Sequence, residues 1–290
     1  MPIRQVSVFG VGLLGGSFAM ALRKHGFRGR IIGCDRAAVL ERATVRGVID
    51  EGRVHPFEAA QGSQLIVLAT PVLAIADLID RLGPALSSGT LLTDVGSTKQ
   101  LIIQRANAVL GKAAAERFLA GHPMAGKEQS GLEFADADLF QHCTWFVTPL
   151  PGQKIHEGMS GEFLDWVERI GARIASVSAP EHDRLCAWIS HLPQMIATAL
   201  AATLVEEYGE DAPLLEAGGR ALREMTRISS SPYSMWRDIA LTNKEYLGDA
   251  MSKLEQRLAH IRENLDTREL AYEFEKAHQL RKAPLAKRKS

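Results

Sequence analysis

The run Val6-Ser7-Val8-Phe9-Gly10-Val11-Gly12-Leu13-Leu14-Gly15 constrains the fold more than any other stretch of this chain. An apolar, alternating segment passes directly into G-x-G-x-x-G, and an Ala/Leu-rich helical stretch follows as far as Lys24. The glycine motif has physical meaning only in that order of strand, turn and helix. Gly10 permits the tight turn, Gly12 lets the backbone approach a pyrophosphate, and Gly15 lets helix and strand pack closely. The free N–H groups of the first helical turn, around Leu13 and Leu14, and the positive end of the dipole then face the anion. A second strand-like run, Arg30-Ile31-Ile32-Gly33-Cys34, ends at Asp35, 20 residues after Gly15, where a carboxylate accepts hydrogen bonds from an adenine ribose. The same charge repels a ribose 2′-phosphate and favours NAD over NADP, although Arg36 can offset part of that repulsion. A glycine turn in an α/β fold that binds no cofactor is the competing reading.

A length of 290 residues suits two domains, and 46% apolar content suffices for two cores. Lysine plus arginine and aspartate plus glutamate stand at 34 each, so no global field points to nucleic acid or to a membrane, and the expected partner is a small molecule. Cys34, Cys143 and Cys186 have no metal-site or C-x-x-C spacing and are odd in number. They read as small buried hydrophobes in a reducing, cytoplasmic setting, with no metal expected. The first strand begins too near Met1 to leave room for a secretory leader. The most apolar later stretch, 185–205, carries Ser190, His191, Pro193 and Gln194, which are costly in a bilayer, and is expected to be a buried helix. The basic tail 282–289 reads as a frayed, solvated end.

Strand-like runs at 64–69 and 89–94 alternate with helical ones to about 46 and at 73–82, which predicts a mostly parallel, doubly wound, Rossmann-type sheet. Thr70-Pro71 and Asp94-Val95-Gly96-Ser97-Thr98-Lys99 follow strand ends, on the edge where such sheets hold ligands, and are placed near the nicotinamide half. Strands at 118–120 and 144–147, a helix at 155–170 and a strand at 173–177 close a first domain, 1–179. From Pro180, a first-turn proline, the pattern becomes helical, with Pro193 kinking the first long helix, so 180–290 forms an all-α second domain. In its last helix Leu247, Met251, Leu254, Leu258, Ile261 and Leu265 recur as an a/d seam that needs a partner surface, within one chain or across a homodimer.

His122 sits in the Gly/Pro-bounded segment Gly121-His122-Pro123-Met124-Ala125-Gly126-Lys127-Glu128, read as a loop directly after a strand. A dehydrogenase acting on an alcohol must dispose of the hydroxyl proton, and an imidazole of unperturbed pKa about 6.5 suits that task. Ser97 can hydrogen-bond both ring and substrate, and Glu128 can orient the imidazole or tie down its own loop. A second constellation lies in the helical part: Ser190-His191-Leu192-Pro193, Thr226-Arg227-Ile228, Met235-Trp236-Arg237-Asp238 and Asn243. His191 can be a core group or a site group. Arg227 offers a planar fork for a carboxylate, or a structural salt bridge. Met235 and Trp236 read as core packing, and Asp183 beside His182 is explained by the helix macrodipole.

Taken in order, these motifs resemble the prephenate and arogenate dehydrogenases of tyrosine biosynthesis over nearly the whole chain. The resemblance implies a dimeric enzyme with an all-α dimerisation domain that uses NAD to convert prephenate to 4-hydroxyphenylpyruvate and carbon dioxide. It implies His122 as the catalytic histidine and Ser97 as the serine that orients it. It places Arg227 and His191 at the substrate, with Glu128, Glu224, Met235 and Trp236 near the substrate side chain. Lys127 departs from the family, where relatives commonly carry a small hydroxyl residue. Arogenate is the alternative substrate, since Glu224 could favour an ammonium. More distant alternatives are a β-hydroxyacid dehydrogenase, which would need a lysine in the helical part, and an NAD-sensing module without catalysis.

Overall fold

Parallel strands covered on both faces must present apolar side chains to both, and the first strands here do so. Val6 and Val8 of β1 (Gln5–Phe9) pack into one layer while Phe9 packs into the other. In β4 (Leu65–Leu68), Leu65 and Val67 oppose Ile66 and Leu68 in the same way. The computed structural model describes residues 2–209 and 217–282. Its sheet has eight strands in the order β3-β2-β1-β4-β5-β6-β7-β8. The remaining strands are β2 (Arg30–Cys34), β3 (Glu51–Arg53), β5 (Leu91–Asp94), β6 (Phe118–Pro123), β7 (Thr144–Thr148) and β8 (Arg173–Ser176). The first six are parallel, β7 runs antiparallel to β6, and β8 is parallel to β7. The order reverses between β1 and β4, so a crevice opens at their carboxyl ends, where open α/β sheets bind ligands.

One face is covered by the helices Leu13–Lys24, Ala37–Val45 and Gly158–Arg169. At its centre Phe18, Phe140, Trp145 and Phe163 meet at centroid separations of 5.3–6.5 Å. Each such ring, fully buried, contributes about 1.5–3 kcal/mol. The other face is covered by Val72–Leu82 and Gln100–Leu110, through Ile75, Ile79, Leu82, Ile102 and Ala106. The three-residue β3 escaped the sequence reading because Glu51-Gly52-Arg53 is polar and short, as an edge strand can be.

His122 does not lie in a loop. The punctuation Gly121…Pro123 suggested one, yet the backbone of 120–123 pairs antiparallel with β7, His122 opposite Phe146 and Pro123 opposite Trp145. Pro123 falls on the last residue of the strand, where a missing N–H costs least.

From Ala179 the chain is helical among the described residues outside its turns. Ser178 accepts from the Glu181 N–H and Glu181 returns a bond to Ser178, a capping box that starts Ala179–Cys186, with Pro180 in the first turn. A π-helical turn, Ala187–His191, leads into Leu192–Tyr208. The wide turn sits just ahead of Pro193, which has no N–H and whose ring crowds the preceding turn, so the irregularity expected at this proline takes the form of a π-bulge. By length and composition the run Ala179–Tyr208 could cross a membrane. Its first half, however, is tied into the sheet end by buried polar bonds described below. The expectation of a buried helix fails in the second half: residues 198–209 are half-buried or exposed, with Val205 43% exposed, so part of its apolar surface is left uncovered among the described residues.

The compact unit extends to Lys244, past the boundary at 179 drawn from the change of pattern. The cause is polar as well as apolar. Asn243 donates to the Asp183 carbonyl at 2.8 Å, and the Leu73 N–H donates to Asp238 at 3.2 Å. A second unit, Glu245–Ser290, holds most of the helix Lys244–Glu263 and the helix Glu269–Lys282, joined by Arg257 and Glu273 at 2.7 Å. The a/d seam therefore lies on the penultimate helix, and Leu265 falls beyond its end. Met251 and Leu258 are exposed. The tail from 283 onward lies outside the described residues.

Candidate active site

The glycine turn has the shape a dinucleotide requires. Gly10 has φ +88°, and a Cβ there would lie 2.6 Å from the Ala69 carbonyl oxygen; at Gly15 it would lie 2.0 Å from that of Gly10. Gly12 instead faces open space, with no atom within 4 Å of a built Cβ, and the helix that begins at Leu13 has no side-chain cap. Its first N–H groups, Leu13 and Leu14 included, are thus open to a pyrophosphate. Asp35 directly follows β2 and accepts from the N–H groups of Val11 at 2.8 Å and Arg36 at 2.7 Å, which fixes its carboxylate beside the turn. The Arg36 guanidinium extends into solvent. Across the crevice Thr70 and Pro71 follow β4, and the buried Thr70 hydroxyl has no partner among the described residues. These residues fit NAD.

Beside the crevice, β5 and β6 end in a buried polar group. Lys99 is fully buried, paired with Asp94, and donates to the Gly121 carbonyl at 2.7 Å. Asp94 also accepts from the N–H groups of Gly96 at 2.8 Å and Gly121 at 3.3 Å. Burial raises the Asp94 carboxyl above the usual range against the pull of Lys99 and these donors. The adjacent His122 is buried, and its Nδ1 lies 2.9 Å from Nε2 of His182. His182 Nδ1 in turn lies 2.8 Å from Asp183. Burial, then the neighbouring His182, Lys99 and His191, hold the His122 imidazole well below its ordinary pKa, so it is neutral and able to accept a proton.

Cys186 lies 3.4 Å from His182 Nε2, and burial followed by Asp183 pushes its thiol up to about 12, so it stays protonated. The ligand atoms of His122, His182 and Cys186 fall within 4.8 Å of one another. Two imidazole nitrogens on a tetrahedral zinc stand roughly 3.3 Å apart. The shorter separation seen here is that of a shared proton.

His191, in the π-turn, meets Trp236 edge-on at 5.9 Å. Asn243 Nδ2 donates to a backbone carbonyl and to His191 Nδ1 at 3.0 Å, so His191 carries its proton on Nε2. That Nε2–H and the Trp236 indole N–H are both buried and have no partner among the described residues. Two such donors suit the oxygens of a substrate. Burial lowers the His191 pKa to about 4, so it donates as a neutral ring.

The other sequence-derived residues are placed unevenly. Ser97 lies half-buried between Asp94 and Lys99, and its hydroxyl makes no hydrogen bond among the described residues; His122 Nδ1 is bonded to His182 instead. Glu128 pairs with Arg227 at 2.9 Å and so ties the loop after β6 to the helical part instead of orienting the imidazole. The Arg227 side chain remains 60% exposed. Glu224 is exposed and bonded to Arg220 at 2.7 Å, and Met235 is partly exposed. Residues that sequence reasoning passed over are His182, Asp183 and the Asp94–Lys99 pair. Adjacent His and Asp early in a helix were the available signal, set aside in favour of the helix dipole.

A dehydrogenase of alcohols brings together a dinucleotide turn, a proton acceptor and donors for its substrate, and this sheet end does so; the protein is an NAD-dependent oxidoreductase. Residues 18–176 match the family described as prephenate dehydrogenase, nucleotide-binding domain, and residues 178–278 match prephenate dehydrogenase, dimerization domain. The chain belongs to the prephenate dehydrogenase family. It is 34% identical to the prephenate dehydrogenase of Bacillus subtilis over 87% of this chain and 68% of that one. The crystal structure of prephenate dehydrogenase from Aquifex aeolicus in complex with hydroxyphenyl propionate and NAD+ superposes with TM-score 0.84 at 30% identity, covering 99% and 98% of the two chains. The Synechocystis arogenate dehydrogenase structure gives TM-score 0.70 at 26% identity, covering 98% of each.

Proposed function

We propose that the protein catalyses the NAD-dependent oxidative decarboxylation of prephenate to 4-hydroxyphenylpyruvate and carbon dioxide, with His122 as general base. The observation that carries this reading is the chain of contacts from His122 Nδ1 to His182 and on to Asp183: with Nδ1 donating along it, Nε2 is left unprotonated and without a partner among the described residues at the carboxyl end of the sheet. NAD, when bound, supplies the two-electron oxidant for the ring carbon that bears the hydroxyl. His122 Nε2 takes the hydroxyl proton as that carbon becomes carbonyl-like; loss of the ring carboxylate as carbon dioxide then lets the ring become aromatic. The unbonded Ser97 hydroxyl is available to hold the same oxygen, and the N–H groups of His191 and Trp236 position substrate oxygens. Asp35 selects NAD over NADP.

Arg227 holds a substrate carboxylate, exchanging its contact with Glu128. Arg227→Gln should weaken prephenate binding by about 1.5–3 kcal/mol, the scale of a charge-assisted hydrogen bond. An unaltered Michaelis constant for prephenate would reduce Arg227 to a loop tie.

Glu224 would be the carboxylate to recognise the ammonium of arogenate, and its engagement with Arg220 on an exposed face favours prephenate. The test is reduced-nicotinamide absorbance on mixing protein and NAD with prephenate or with arogenate. A faster rise with prephenate is expected; a faster rise with arogenate would reverse the assignment, and a flat trace in both with NAD bound would leave a sensor. We place the enzyme as a homodimer through its helical part, supported by the apolar surface left on Leu192–Tyr208 and the match to a dimerization domain. A cytoplasmic setting accords with three free thiols. The functional division at 179/180, nucleotide binding before and substrate binding and dimerisation after, is proposed on the same grounds.

A further inference from the structure

We propose that His182 and Asp183 complete the base: His122 passes the proton it gains on to His182, and the charge comes to rest against the Asp183 carboxylate. The proposal rests on His122 being the general base.

The hydrogen bonds dictate the direction. Asp183 Oδ1 accepts from the Lys99 N–H at 2.7 Å, and Oδ2 accepts from the Gln100 N–H at 3.0 Å. Burial opposes its ionisation, yet His182 and these two backbone donors outweigh it and hold the carboxyl below its usual pKa. An ionised Asp183 can only accept, so His182 Nδ1 donates to it. Neutral His182 then presents a lone pair at Nε2, and His122 Nδ1 must donate there. Substrate oxidation breaks the hydroxyl O–H bond and forms N–H at His122 Nε2, while the pair of electrons stays on the oxygen. The His122 Nδ1–H bond then breaks as His182 Nε2–H forms. One proton has moved from substrate to His182, His122 is again neutral, and the new imidazolium lies 2.8 Å from a carboxylate.

The surroundings make His182 the better seat for that charge. His122 faces the Lys99 ammonium at the end of β5, His191 on the π-turn and His182; Asp94 is already committed to Lys99. Burial and then Lys99 lower the His182 pKa as well, but His182 alone has the opposing bond to Asp183, with Asp94 further assisting, the neutral Cys186 thiol beside it and the Phe146 ring of β7 edge-on at 5.5 Å. A base left alone at His122 would hold its proton in a buried cationic neighbourhood. Two rings in series move it next to the only carboxylate bonded to either imidazole among the described residues.

His182→Gln tests this, because glutamine can still accept from His122 Nδ1 but cannot carry the proton, and Asp183 keeps its bonds to Lys99 and Gln100. The expected result is a fall in kcat of about 10–10²-fold with unchanged KM for prephenate and unchanged NAD affinity. The acid limb of the kcat–pH profile should move to lower pH, since the protonated state has lost its carboxylate. Asp183→Asn should move the limb in the same direction. If His182→Gln keeps the wild-type limb, whether or not kcat falls, His182 is only a structural support and the relay is wrong. His122→Asn in the same assay separates the two ideas: retained turnover there removes the base itself, whereas lost turnover beside an unaffected His182→Gln removes only the relay.

Discussion

His122→Asn lowers turnover on prephenate by at least about 10²-fold with little change in KM for prephenate or in NAD affinity. The expected split follows from which nitrogen does what. Asparagine places an amide N–H close to where Nδ1 stood, so the bond to His182 at 2.9 Å can be kept and the strand end need not rearrange. What disappears is Nε2, the only part of the ring with a free lone pair. Stopped-flow or steady-state formation of reduced nicotinamide measures kcat, and fluorescence titration with NAD reports whether the cofactor site is intact. Wild-type turnover with normal affinity would sink the assignment of His122.

The second large effect is on stability. Lys99→Met should destabilise the fold by about 3–5 kcal/mol, because it leaves Asp94, fully buried, without its counter-charge. Methionine matches the aliphatic stem in length but returns nothing to the carboxylate or to the Gly121 carbonyl. In the variant Asp94 titrates with a folded pKa above its unfolded one, so stability is present at low pH and lost as pH rises through the folded pKa. The loss measured by urea unfolding should therefore be larger at pH 8 than at pH 5. Adding Asp94→Asn, which keeps the amide acceptor for Gly96, should recover much of it. A Lys99→Met protein with wild-type stability at pH 8 would mean that the pair is dispensable.

The nucleotide half was legible because its signals are local. Gly10, Gly12, Gly15 and Asp35 lie within 26 consecutive residues, and each glycine answers to one backbone requirement of the turn. The site was legible only in part. His122 was singled out, but in the wrong kind of segment: whether Gly121 and Pro123 bound a loop or finish a strand depends on β7, some 20 residues on, and pairing across that distance leaves no mark in the local pattern. His182 and Asp183 were read with the chemistry of their own helix, where an early aspartate needs no other explanation. In the fold that aspartate serves the start of Gln100–Leu110 instead. Glu224 illustrates the converse, a residue carried to the site by resemblance that engages a neighbour one helical turn away.

The Asp183 carboxylate links parts of the chain that family boundaries separate. It receives the backbone N–H groups that open the helix after β5, although it is itself supplied from beyond residue 178. A nucleotide-binding fragment cut at that boundary would retain every glycine of the turn while losing the cap on that helix and the partner of His122. In such a fragment, dinucleotide affinity would cease to report on readiness for chemistry. Chimeras that graft this front half onto a foreign helical half would have to bring a matching His-Asp pair at the same depth, which makes the junction a poor place for recombination even though sequence profiles divide there.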